Sequence, residues 1–378
     1  MAPTSAQAGV SSAPSLQTRS NNFNALRFLL AVCVVFTHSY ILIPRSVEIV
    51  TRLTRQQENA GGIAVDAFFI ISGYLIAQSW LNSKSSGDYF RKRILRIYPG
   101  YIVCALLCLF LIGPLAVGSG IRYFHTALWQ KSLFSLPFLS PLDVHPFALA
   151  PVPSVNSSLW TIAIEFACYI LIALMGWIGA YRDRRSVLGV FVAVFTFATL
   201  QRLLHWHTTF ALPLLIGSDF DAWPRLFTFF LAGMTFYFYR DCIRYTTLGA
   251  VVSALVLVVS CFVRVLPQTL PVFGTYLLFY IALHPGIRLQ NFGKKTDLSY
   301  GIYLYGWPVQ QLLLKYLPGV FRPLTLFAAA LPLACACAYL SWNLVEKPFL
   351  KRKPRPAKAP EQPKVRPSDS EVAAPSIG

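Results

Sequence analysis

Ala25–Ile43, ALRFLLAVCVVFTHSYILI, is an apolar run of membrane-spanning length broken by two side chains that hydrocarbon rejects, Arg27 and His38. Eleven residues of α-helix turn about 20° past three full turns and rise about 16 Å, so the two groups project from one face. An ionisable side chain inside a spanning helix faces a bundle interior or a wet cavity, because facing lipid costs about 3 kcal/mol. The face carrying Arg27 and His38 is therefore expected to be the wall of a site.

The composition agrees with a membrane setting for that helix. Hydrophobic residues make up 55% of the 378 and charged residues 13%, with a mean hydropathy of +0.54. This is far more apolar than a soluble domain, where charge is about 25%. The net charge of +18 comes in short bursts between apolar runs, the pattern of membrane topology, and no nucleic-acid-binding motif accompanies it. Most of the cysteines, including Cys104, Cys108, Cys168, Cys261, Cys335 and Cys337, sit in apolar segments, where a thiol behaves as a small hydrophobe. No disulfide framework is expected. Cys335 and Cys337 diverge in direction on a helix and make a poor metal or redox pair.

Residues 1–22 lack an apolar core and are expected to be a disordered tail with no cleavable signal. The membrane body occupies 23–349. Its expected spans are Phe23–Ile43, Gly61–Trp80 with Asp66 in its first turns, and segments near Ile97–Ile112, Ser158–Ala180, Ser186–Leu204, Pro224–Tyr239, Thr247–Val263, Val272–Leu283, Leu298–Leu317 and Leu324–Leu344. The expected fold is all-α, a polytopic bundle of about ten helices. Residues 82–96 are expected to be a basic connector. Residues 350–378 form a basic, Pro-rich tail, expected to be disordered and to lie on anionic lipid.

Counting Lys and Arg orients the bundle. With both termini on one side, that side holds 23 of the 33 basic residues, which makes it cytoplasmic by the positive-inside rule. The stretch 113–157 then falls outside, and its length suggests that it covers or lines a site. Arg27 lies near the cytoplasmic face, while His38, Asp66 and Glu165 (in SLWTIAIEFACY) all lie toward the outer half. Three titratable groups are thus expected near one level. A carboxylate beside the imidazole would fix its tautomer and raise its basicity, as a general base for a hydroxyl requires. The structural alternative is a buried polar network that ties helices together. Phe90–Tyr101, FRKRILRIYPGY, places Arg93 and Arg96 on a shared helix face, where they could grip a phosphate together. Ordinary positive flanking of a span is the alternative there. His125, His145 and the pair His205 and His207 lie on outside segments, and two histidines without a nearby carboxylate or thiol make a poor ligand set, so no metal is expected.

ALRFLLAVCVVFTH resembles the opening motif of the acyltransferase-3 family of integral membrane acyltransferases, relatives of O-antigen and nodulation-factor acetylases. AVDAFFIISGYLI is similar to that family's second-helix block, with Asp66 on its acidic position. KRILRIYPGY resembles its Arg-x-x-Arg block through Arg93, Arg96, Ile97, Pro99 and Tyr101, and SSLWTIAIEFACY its Trp and Glu block through Trp160 and Glu165. LSYGIYLYGWPV and SWNLVEKPF resemble the last two blocks. The six blocks occur in order from residue 25 to 349.

The resemblance implies transfer of an acyl group, most often acetyl, from cytoplasmic acyl-CoA to a hydroxyl of an envelope or exported saccharide, in a bacterial inner membrane. It implies His38 as the essential histidine, which would take the hydroxyl proton or first accept the acyl group itself with Asp66 or Glu165 holding the ring, and Arg27, Arg93 and Arg96 at the CoA end. Two departures stand out: Ala64 where many members have Gly, and Gly306 where many O-acetylating members have His. The sequence ends soon after its last apolar segment, so the acceptor is expected to be handled by the membrane body and loops such as 113–157. The competing reading is a proton-coupled transporter or flippase with His38, Asp66 and Glu165 as a relay. The cytoplasmic arginines separate the two, since a carrier of neutral saccharide has no use for a phosphate clamp.

Overall fold

The computed structural model describes residues 21–44, 46–126, 128–206 and 222–351. Most of the N-terminal tail, the C-terminal tail from residue 352 and His207 lie outside the described residues. Every segment expected to span is helical, and there is no strand among the described residues. The long helices are α1 (Phe23–Leu42), α2 (Ala60–Leu81), α3 (Ser86–Val117), α4 (Ser157–Trp177), α5 (Arg184–Leu203), α6 (Ala222–Phe238), α7 (Thr247–Val263), α8 (Leu266–Leu283), α9 (Ser299–Tyr316) and α10 (Pro323–Lys351), with short helical turns in the connectors. Among the described residues, seven helices are long and apolar enough to cross a membrane: α1 to α5, α8 and α10.

One boundary differs from expectation. The basic connector 82–96 is helical from Ser86 onward, so α3 carries its cations on its own first turns. The Ser85 hydroxyl accepts from the Asp88 amide at 3.2 Å and caps the helix, and Asp88 pairs with Lys92 one turn on. Arg and Lys are good helix formers whose stems lie along apolar surface while their charges reach out.

Two helix contacts position the polar residues. α2 and α6 run parallel and cross at glycines: a β-carbon on Gly73 would lie 1.9 Å from the Phe230 carbonyl oxygen, and one on Gly233 would lie 1.9 Å from that of Ile70. Only glycine allows two backbones this close. α1 and α9 also run parallel, in a steady register that sets Arg27 beside Asp297, Val35 beside Gly306, His38 beside Trp307 and Ser39 beside Gln310. α2 lies between α1 and α6, and α10 packs on α9 and α1.

Candidate active site

The start of α1 meets the starts of α9 and α3 around one carboxylate. Asp297 Oδ2 accepts from Arg27 Nη1 at 2.9 Å and from Arg96 Nη2 at 2.6 Å. Its other oxygen accepts from the Ser299 hydroxyl at 2.6 Å. Burial alone would raise the pKa of Asp297, but the two guanidinia and the Ser299 hydroxyl hold it well below the usual carboxylate range. Arg96 also reaches Glu346, at 3.9 Å, on the π-helical turn Trp342–Glu346 within α10, and lies over the Tyr300 ring. Arg93 is not brought onto the same partner. It donates to Ser79 of α2 at 3.2 Å and sits over the Tyr169 ring of α4, because three residues of helix leave it about 60° away from Arg96.

Inward from Arg27 lies a cavity of about 60 Å³ whose polar wall is Arg27, Ser72, Thr161, Glu165, Ser299 and Tyr303. Glu165 accepts from Ser72 at 2.9 Å and from Tyr169 at 2.6 Å, and Tyr303 shares a 2.6 Å hydrogen bond with Thr161. Tyr303 stands one helical turn, about 6 Å, before Trp307 on the same face of α9. The His38 ring meets the Trp307 ring edge to face at 4.9 Å, and its Nδ1 is buried with no hydrogen-bond partner among the described residues. Gly306 faces α1, where a β-carbon would press on Val35 at 2.6 Å, so a larger residue would push the two helices apart.

The stretch 113–157 does line this region. Trp307 Nε1 donates to Ser154 O at 3.1 Å, Gln311 to Val152 O at 2.7 Å, and Asn156 to Leu304 O at 2.9 Å. These bonds strap residues 152–156 onto α9 beside the Trp307–His38 pair.

Neither carboxylate expected to hold the imidazole is hydrogen-bonded to it. Glu165 is engaged with Ser72 and Tyr169. Asp66 faces α6 and accepts from Arg225 at 3.1 and 2.7 Å, a two-point contact, and Arg225 also donates to Glu58 at 3.0 Å. The reason is angular. Phe68, two residues and about 200° from Asp66, packs on the cluster formed by Ala31 and Val35 of α1 with Ile302 and Ala338, so Asp66 looks the other way. Beyond this network, at the end of the bundle opposite Arg27, lies a cavity of about 270 Å³ bordered by Glu58, Arg202, Trp206, Arg225, Phe229 and Gln268.

The acyltransferase-3 family model, described as an acyltransferase domain, matches residues 20–343. The chain belongs to that family. Among similar proteins is the O-acetyl transferase of Shigella phage Sf6, 29% identical over 88% of this chain and 97% of its own. Nodulation protein 10 of Rhizobium leguminosarum bv. viciae is 26% identical over 88% of this chain and 93% of its own. The O-acetyltransferase OatA of Staphylococcus aureus is 22% identical over 80% of this chain and 55% of its own. No solved structure matches the chain. With its apolar helices, this acyltransferase-3 protein is a multi-pass membrane acyltransferase.

Two residues of this family member escaped the reading of its sequence. Asp297 sits just before the LSYGIYLYGWPV block, and Arg225 is a lone cation in the otherwise apolar α6; both signals were legible as charges at helix starts. Among the described residues no group of three or more His, Cys, Asp or Glu is placed to hold a metal ion, and all eight cysteines are free.

Proposed function

We propose that the protein transfers an acetyl group from acetyl-CoA on the cytoplasmic side of a bacterial inner membrane to a hydroxyl of an envelope or exported saccharide. The observation that carries this reading is His38: an imidazole whose buried Nδ1 has no partner among the described residues, lying beyond a cavity that begins at Arg27. The phosphates of CoA suit Arg27 and Arg96, with Arg93 close by on the same helix, and a thin thioester arm suits the narrow cavity past Glu165 and Tyr303. His38 takes the proton of the acceptor hydroxyl as the oxygen attacks the thioester carbonyl. The CoA thiolate leaves and is protonated. In this reading Glu165 positions the arm at the cavity wall. Asp66 acts through Arg225, holding α2 against α6. The end bearing Arg27 faces the cytoplasm, as the Lys and Arg distribution supports.

Mass spectrometry of envelope saccharides tests the reading in cells carrying the unaltered chain or His38→Ala at matched membrane levels. An acetyl ester present with the first and absent with the second is the expected result. Identical esters in both, with altered passage of a solute instead, would replace transfer by transport.

A further inference from the structure

The connector between α8 and α9 is built onto the start of α1 at the arginine end. Asn22 donates to Ile281 O and Ile287 O, both at 2.9 Å, and accepts from the Leu289 amide at 2.9 Å. Asn24 donates to Gly293 O at 3.2 Å, and Gly293, at φ +64°, turns the chain where its own α-carbon runs close under Asn24. The Phe292 ring meets Phe28 of α1 edge to face at 5.0 Å while remaining 47% exposed.

This turn and α1 enclose a cavity of about 470 Å³ lined by Asn24, Phe28, Phe292, Lys294, Lys295 and Asp297. That is the size of a small-molecule site. Neither Lys294 nor Lys295 has a carboxylate partner among the described residues, although both line the same cavity as Asp297. The local charge is lopsided: Lys294 and Lys295 line the cavity, and Arg27 and Arg96 pair with Asp297 at its edge, against the carboxylates of Asp297 and of Glu346, which Arg96 reaches at 3.9 Å. The inner cavity also begins here, since Arg27 and Ser299 line it and both are bonded to Asp297. A large cationic vestibule and a narrow polar passage therefore abut at one ion pair. An acyl donor with a bulky anionic nucleotide head and a slim thioester arm has that same division.

We propose that the vestibule formed by Asn24, Phe28 and residues 291–298 is the nucleotide subsite of the donor, with Lys294 and Lys295 binding its phosphates and the exposed Phe292 ring flanking its base. This rests on the reading of acyl-CoA as donor. Two ammonium–phosphate contacts are lost in Lys294→Ala/Lys295→Ala, and CoA affinity is expected to fall by about tenfold or more. Neither lysine touches the reacting atoms, so the KM for acetyl-CoA rises while kcat holds.

The test uses the full chain in nanodiscs of neutral phosphatidylcholine and measures binding of CoA, dephospho-CoA and pantetheine, together with transfer from acetyl-CoA and from S-acetylpantetheine. In the double variant CoA binding weakens and S-acetylpantetheine is used as before, while Lys294→Arg/Lys295→Arg retains CoA. CoA binding by the unaltered chain that the alanine substitutions leave unchanged overturns the subsite alone. A difference that appears only when anionic lipid is added to the discs also overturns it, by assigning the lysines to lipid headgroups. No CoA binding by the unaltered chain overturns the donor reading and this subsite with it.

Discussion

The two ends of the bundle solve the same problem, a guanidinium near the membrane, with different grips on it. Around Asp297 two arginines share one carboxylate, and both guanidinium side chains remain partly exposed, Arg27 at 23% and Arg96 at 18%. Around Arg225 the grip is closer: its guanidinium makes a two-point contact with Asp66 and a third bond to Glu58, which Arg202 also reaches at 3.7 Å, and the Glu58 and Asp66 side chains are only 5% and 3% exposed. The first cluster has cationic capacity left over and can bind an anion. In the second, the near carboxylates already engage the guanidinium, so what it does is tie α2 to α6. Arginine in a membrane protein therefore does not by itself signal a phosphate site; how many of its donors the nearby carboxylates already engage decides.

Four experiments would break or sharpen this contrast. The largest effect is expected between the clusters, at His38: His38→Ala should cut acetyl transfer by about 10²–10⁴-fold, the range of a general base, with no drop in the thermal midpoint of the purified protein. Next come the arginines themselves. Arg27→Ala and Arg96→Ala should each raise the KM for acetyl-CoA by about tenfold or more, as loss of a charged phosphate contact does. Arg225→Ala should leave that KM unchanged and instead destabilise the protein by about 2 kcal/mol, by stranding the buried Asp66 while Glu58 keeps Arg202; with its side chain 38% exposed, Arg225 falls short of the full cost of a buried pair. A raised KM in Arg225→Ala would erase the distinction.

The crossing that aligns Asp66 with Arg225 is tested by Gly73→Ala. Its new methyl meets the Phe230 carbonyl oxygen, so the helices must separate, at a cost of about 1–3 kcal/mol seen in thermal unfolding. The smallest effect concerns pH. Because Asp297 titrates below its unfolded-state range, its stabilising contribution is complete above an unfolded pKa of about 3.9 and is lost only as pH falls through the lower folded value. The difference in thermal midpoint between the unaltered chain and Asp297→Asn should therefore stay constant from pH 7 to about pH 5 and narrow only in stronger acid. A gap that closes near neutral pH would show that Asp297 is not held by the two arginines.

Much of the fold was legible because the bilayer imposes a length and a polarity on each segment. The apolar runs, their order and the shared face of Arg27 and His38 follow from helical period alone. The start of α3 was placed too late, because a window of hydropathy ends where cations begin, while a helix ends only where its hydrogen bonds do. The pairing of Arg93 with Arg96 failed for a finer reason. Residues three apart share a face only loosely, and neighbouring helices offered Ser79 and Tyr169 to one and Asp297 to the other.

By itself the sequence determined an all-helical membrane acyltransferase with a histidine and an arginine on one wall, since periodicity, apolar length and ordered motifs are local properties that survive without partners. The tertiary structure alone decided which carboxylate meets which cation. The α2–α6 glycine crossing turns Asp66 to Arg225, the α1–α9 register delivers His38 to Trp307, and Gly61 packed on Thr37 leaves Asp66 more than a helical turn away from His38 along the bundle. Depth is written along one helix; azimuth between helices is set by packing, and an ion pair needs both.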